Sequence, residues 1–127
     1  MTRKTPILAA VEDLLFRSRI QKTAEALGLR AEFPRRRENL LETLRSSPPD
    51  LLILDLDSPR FRPLELLREA GDALSGVEVV GFVPHVRGDL ATAARRAGCD
   101  RVMARGAFVE ELPSLLSGLG TDEGRAT

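Results

Sequence analysis

Residues 51–59 read LLILDLDSP, an apolar run that closes on two aspartates one residue apart, Asp55 and Asp57. Leu51 to Leu56 is the most hydrophobic segment of the chain. An apolar run without alternation is what a strand needs when both faces of a parallel sheet are covered. Such a strand belongs at the sheet centre, with Asp55 at its carboxyl end. An Asp-x-Asp there is open to three readings: the nucleophile and acid of a phosphatase, a phosphate-accepting and magnesium-binding site, or a helix-capping loop without chemistry.

The segments on either side repeat one pattern. Ile7 to Val11 (ILAAV) is a second strand of the buried kind, closed by Glu12 and Asp13. From Leu14 to Leu27, Phe16, Ile20, Ala24 and Leu27 recur at helical spacing, and Gly28 supplies the stop. Leu29 to Phe33 reads as a weaker strand, and Glu38 to Arg45 as a helix broken by Ser46-Ser47-Pro48-Pro49. Downstream, a helix over Pro63 to Leu74 precedes a strand over Val77 to Val83. A helix over Asp89 to Ala97, a strand over Arg101 to Ala104 and a helix over Val109 to Leu119 complete the series. Strands alternating with helices in one short chain predict an α/β doubly wound parallel sheet of five strands. The reading gives one domain over residues 1–119 and a flexible tail over 120–127.

Bulk properties exclude several classes. The 127 residues suffice for one domain with one core. Hydrophobic content of 43% and charged content of 30% are ordinary for a globular protein, and no stretch approaches the roughly 20 apolar residues of a membrane span. The start, Met-Thr-Arg-Lys-Thr-Pro, lacks a signal-peptide core, and a single cysteine, Cys99, forbids an internal disulfide. A cytoplasmic location is expected. A net charge of zero gives no general pull toward nucleic acid or membrane lipid. Only Lys4 and Lys22 are lysines; every later basic residue is arginine.

In doubly wound sheets, ligands sit outside the carboxyl ends of the strands. Glu12, Asp13 and Asp55 all fall there. Carboxylates converging on one edge repel one another, and the usual remedy is a hard cation such as Mg2+, which can then bring a phosphoryl group to the best-placed aspartate.

On these residues the chain resembles the CheY-like receiver domain of bacterial two-component response regulators, from Ile7 to Leu119. Val11-Glu12-Asp13 looks like the acidic pair after the first strand, and Leu54-Asp55-Leu56-Asp57-Ser58-Pro59 like the segment carrying the phosphorylated aspartate. Ala97-Gly98-Cys99-Asp100-Arg101-Val102 looks like the stretch entering the fifth strand. The resemblance implies a flavodoxin-like (βα)5 fold in three α/β/α layers. It further implies Asp55 as phosphoacceptor, Glu12 and Asp13 as Mg2+ ligands beside Asp55, and a backbone carbonyl of Asp57 on the same metal.

Four positions depart from the family. The hydroxyl residue at the end of the fourth strand is Val83, the lysine at the end of the fifth is Arg105, and the aromatic switch position on the fifth is Val102. Gly106 stands where the family has a cis-proline. Valine cannot donate a hydrogen bond to a phosphoryl oxygen, and a planar guanidinium is no like-for-like replacement for a compact ammonium. The expectation is a degenerate receiver, or pseudo-receiver, whose phosphorylation switch is impaired or absent. It would be no enzyme, and with no output domain it would act through a protein partner, a histidine kinase or a downstream signalling protein, or through self-association. The face of the fourth helix, fifth strand and fifth helix serves such contacts in the family. Arg87, Arg95, Arg96, Arg101, Glu110 and Glu111 lie near it here.

Two alternatives stay open: a working phospho-receiver with Asp55 as phosphoacceptor and Arg105 as surrogate cation, and a small Mg2+-dependent phosphatase centred on Asp55. The latter resembles the haloacid dehalogenase pattern, but lacks that pattern's later lysine and second carboxylate pair. Plainer readings stand beside each feature. Helix capping competes for Glu12 and Asp13, and turn chemistry is the better account of Asp57 alone. His85 is expected in an exposed loop and Cys99 in the core. Arg35-Arg36-Arg37, flanked by Glu32, Glu38 and Glu42, reads as a solvated helix start.

Overall fold

β3 (Leu51–Asp55) lies at the centre of a five-stranded, fully parallel sheet. β1 (Ile7–Ala10) and β4 (Glu78–Val83) flank it, with β2 (Ala31–Glu32) outside β1 and β5 (Arg101–Ala104) outside β4. The computed structural model describes residues 5–125, with side chains described as far as residue 119. Registers Ile7↔Leu51 and Leu51↔Glu78 align the carboxyl ends of β1, β3 and β4 at one edge. The order 2-1-3-4-5 reverses direction beside β1, so the crevice at that edge opens between the ends of β1 and β3.

The helices are α1 (Leu14–Ala26), α2 (Arg37–Ser46), α3 (Pro63–Ala70), α4 (Gly88–Ala97) and α5 (Arg105–Arg125). Because side chains alternate along each strand, the two sheet faces carry separate cores. Leu8, Leu52, Leu54 and Val79 meet Leu40 and Leu44 of α2, Leu66 and Leu67 of α3, and Ala94 of α4. Ile7, Ile53, Val80 and Phe82 meet Ile20 and Ala24 of α1 and Phe108, Leu112 and Leu116 of α5. All five residues of β3 are buried, which is why that segment reads as a continuous apolar run.

Element ends differ from the sequence reading where backbone geometry intervenes. The third helix stops at Ala70 because Gly71 turns to φ 50°, ψ −119°, and the chain continues as a short 3-10 turn over Gly71–Leu74. Arg62, just before α3, holds a left-handed φ of 45°, unusual for a residue with a Cβ. α5 begins at Arg105, immediately after β5, and runs to Arg125 rather than ending at Leu119. The proposed tail is therefore helical through Arg125; Ala126 and Thr127 lie outside the described residues. No peptide bond among the described residues is cis, so the Arg105–Gly106 junction keeps the ordinary trans form.

Candidate functional site

Asp55 ends β3 at the open edge and is only 9% exposed. Its Oδ1 accepts a hydrogen bond from the Asp57 backbone N–H at 2.9 Å, while the next residue, Leu56, donates its N–H to the Phe82 carbonyl. Burial pushes the Asp55 carboxyl above the usual carboxylate range. The Asp57 N–H and the charge of Arg105 pull it back, and the negative charges of Asp57 and Glu12 push it up further.

The neighbouring carboxylates have separate occupations. Glu12, just past β1, accepts a very short hydrogen bond from Ser58 Oγ on Oε2, and its Oε1 lies 3.6 Å from Arg60 Nε. Ser58 is buried, and its Oγ also accepts the Phe61 N–H at 3.3 Å, so it ties the loop after β3 to the end of β1. Asp13 caps α1: its Oδ1 accepts the N–H groups of Leu15 at 2.8 Å and Phe16 at 3.2 Å. That arrangement satisfies two of the helix's orphan donors and sets a negative charge at the positive end of its dipole. Asp57 is exposed.

Among the described residues, no three His, Cys, Asp or Glu side chains are grouped so as to hold a metal ion. Glu12, Asp55 and Asp57 lie within electrostatic reach of one another, while Asp13, the expected second acidic ligand, is engaged by the helix start. In this arrangement Asp13 caps α1, and the described side chains do not gather three carboxylates around one point at the strand ends.

Arg105 approaches the same pocket from the end of β5. Its guanidinium carbon sits 4.8 Å from the Phe16 ring centroid and 6.0 Å from that of Phe82. Phe16, Phe82 and Phe108 form a continuous aromatic group, with centroids 5.0 Å apart for Phe16–Phe82 and 4.9 Å for Phe82–Phe108. Arg105 Nε is buried without a hydrogen-bond partner, and no ion pair joins Arg105 to Asp55 among the described residues. The arginine therefore acts on Asp55 through its field while its cation rests on aromatic faces, an interaction of about 0.5–2 kcal/mol. Val83, at the end of β4, is 2% exposed and packs with the α2–α4 core; Val102 is half-buried against the same core.

Two participants escape a reading of the sequence. Ser58 looks like turn chemistry before a proline, and only the fold sets it against Glu12. Phe16 reads as an inward helix residue, without any sign that it carries Arg105. As expected, His85 is exposed, and Cys99 is buried, its thiol donating to the Arg101 carbonyl at 3.0 Å and pushed up to about 11 by burial.

The sheet order, the helix layers and the acidic edge together define the fold of a CheY-like response-regulator receiver domain. A response regulator from Hahella chejuensis superposes with a TM-score of 0.77 at 19% identity, covering 89% of this chain and 92% of that one. The receiver domain protein from Methanospirillum hungatei gives 0.73 at 16%, covering 94% and 99%. A response regulator from Burkholderia pseudomallei, solved with a phosphorylated aspartic acid, calcium ion and citrate, gives 0.74 at 16%, covering 95% and 72%. The sequence matches no protein-family model and no curated protein.

The environment of Asp55 makes a prediction with a definite sign. A carboxyl whose folded pKa is raised binds more protons folded than unfolded, so its ionisation costs stability. That cost is absent below the unfolded pKa, grows between the unfolded and folded values, and is complete above the folded one. Asp55→Asn keeps an acceptor for the Asp57 N–H and removes the charge. It is expected to raise Tm at neutral pH by roughly 2–6 °C, on the order of 1 kcal/mol. The gap between variant and parent should close as the pH is lowered, as followed by thermal melts across a pH series.

Proposed function

We propose that this domain is a signalling module of the two-component type that works by protein–protein contact, with its conventional phosphorylation switch impaired or absent. The observation that carries the reading is the setting of Arg105. Its cation rests on Phe16, and Val83 offers no hydroxyl at the neighbouring strand end, so a phosphoryl group on Asp55 would meet neither a free compact cation nor a hydroxyl donor. Asp13, turned to its helix cap, further weakens the case for a metal that would deliver that group. On this reading Asp55 performs no catalysis.

The contact surface follows from the same fold. α4, β5 and α5 present Arg87, Arg95, Arg96 and Arg101 with Glu110 and Glu111, and an Arg101–Glu111 ion pair of 2.8 Å clamps β5 to α5. A partner, whether a histidine kinase, a downstream protein or a second copy, reads this surface in a constant state. Among the described residues no helix is long and apolar enough to cross a membrane, and a cytoplasmic setting suits the reading. Because the field of Arg105 does reach Asp55, a working phospho-receiver with Arg105 as surrogate cation is the second reading.

The two separate on incubation with acetyl phosphate and Mg2+, followed by intact-mass measurement. The leading reading predicts no phosphoryl adduct that depends on Asp55. A stoichiometric adduct abolished by Asp55→Asn favours the second.

A further inference from the structure

The loop after β3 closes on the end of β1. Pairing of Ala10 with Leu54 sets the ends of the two strands side by side, so residues just past each strand meet across the crevice. The loop is held at two points. Ser58 is buried and donates its backbone N–H to the Asp55 carbonyl at 3.1 Å. Phe61 is buried in the α2–α4 core, and its carbonyl accepts from Arg37 Nε at 3.0 Å. Arg60 lies between these anchors and reaches back over the crevice, with Nε 3.6 Å from Glu12 Oε1 and Nη1 donating to the Arg35 carbonyl at 3.5 Å. Both oxygens of Glu12 are therefore met from this loop, Oε2 by the Ser58 hydroxyl and Oε1 by the Arg60 guanidinium. We infer that Arg60 is the built-in counter-ion of the acidic edge: a divalent cation can engage Glu12 only by displacing Arg60 and loosening the loop from β1.

The charges support the assignment. Glu12, Asp55 and Asp57 act on one another at this edge, and two guanidiniums face them: Arg60 against Glu12, and Arg105 whose field reaches Asp55. Much of the mutual repulsion that would draw in a cation is thus offset within the chain. Asp13 adds nothing to the attraction of the pocket, since its carboxylate is spent on the start of α1. The Arg60–Glu12 pair is open to solvent and contributes little to folding by itself. Its effect lies in placement. With Ser58 and Phe61 anchored on either side, Arg60 stands at Glu12 at a high effective concentration, against which a dissolved cation must compete.

The inference deepens the proposed reading of the Asp55 pocket and rests on it, since a cation held off Glu12 is one reason for the pocket to stay in a single state. The two fail separately. A cation titration contains no phosphoryl donor, so the role of Arg60 can be refuted while Asp55 remains unmodified, and an adduct on Asp55 leaves the order of cation affinities among the variants untouched.

The test is an amide NMR titration of the full chain with MgCl2 at constant ionic strength, comparing the parent with Arg60→Gln, Arg35→Gln, Glu12→Gln and the double variant Glu12→Gln/Arg60→Gln. Arg35 is exposed, makes no ion pair among the described residues and lines the same two cavities as Arg60. Arg35→Gln therefore removes an equal charge nearby without touching Glu12, and each variant's own spectrum reports its folding. Expected is an Mg2+ affinity at least about threefold higher in Arg60→Gln than in the parent, with saturable shifts at Glu12 and Asp55 and a clearly smaller gain in Arg35→Gln. In Glu12→Gln the Arg60 change should bring no gain, which isolates the pairwise effect. An unchanged affinity or no saturable Mg2+ shift in Arg60→Gln, an equal gain in Arg35→Gln, or a gain that survives Glu12→Gln overturns the inference.

Discussion

Phe82→Ala is expected to remove about 3–5 kcal/mol of folding stability. Phe82 lies on β4 opposite Asp55 in the β3–β4 register and is 1% exposed. Its ring touches Phe16 of α1 on one side and Phe108 of α5 on the other, so one side chain joins two helices to the sheet. Truncation leaves a cavity that those helices cannot close together, since each is pinned by its own contacts to the sheet. It also loosens the aromatic seat of Arg105 and so its field on Asp55. Domains of this size carry roughly 5–15 kcal/mol in total, so the variant should melt some 10–20 °C lower. Phe82→Leu, which keeps most of the apolar volume, should lose far less. A loss below about 1.5 kcal/mol for the alanine variant would mean that the three rings do not form the wall between sheet and helices.

Gly81→Val should cost about 1–3 kcal/mol, from crowding instead of a void. A Cβ at Gly81 would lie 2.7 Å from both Cγ and Cδ1 of Leu56, a buried side chain that can yield only by moving the chain around it. Leu56 follows Asp55 directly, and its N–H is bonded to Phe82 O at 3.0 Å. The displacement is thereby passed to the Asp55–Ser58 loop, and with it to the Asp57 N–H that steadies Asp55 and the Ser58 hydroxyl that holds Glu12. In urea the midpoint should fall with the m-value unchanged, as expected when the native packing and not the denatured ensemble is altered. An unchanged midpoint would mean that Leu56 has room to rotate away.

Legibility in the sequence follows how local the cause is. β3 could be placed at the sheet centre because burial on both faces leaves a purely apolar run. α1 could be bounded because Asp13 and Gly28 end it by short-range geometry; Gly28 indeed takes φ 73°. The end of α3 was less legible, since Gly71 continues the apolar spacing and betrays itself only by its backbone angles. α5 begins four residues before its first sequence signal because Arg105 and Gly106 carry no capping chemistry. Within the site, the edge location of Glu12, Asp13 and Asp55 was legible from strand ends alone. Whether each carboxylate faces the pocket depends on partners far away in sequence: Glu12 meets Ser58 and Arg60, and Arg105 meets Phe16. The gathering of Arg60 and Arg62 beside residues 35–37 around one cavity was invisible for the same reason. Residues 35–37 look diluted by flanking glutamates until folding adds Arg60 and Arg62, while Glu32 is drawn off to Thr5 at 3.0 Å.

On the proposed reading, occupancy of the Asp55 pocket does not switch the α4–β5–α5 surface. An amide NMR titration with Mg2+ and then beryllofluoride, a phosphoryl mimic, tests it most directly, with Asp55→Asn as control. Beryllofluoride is expected to add no shifts at Gly88–Ala97 or Arg101–Ala104 beyond those of Mg2+ alone. Shifts that spread from Asp55 to those residues, need beryllofluoride and vanish in Asp55→Asn would contradict it.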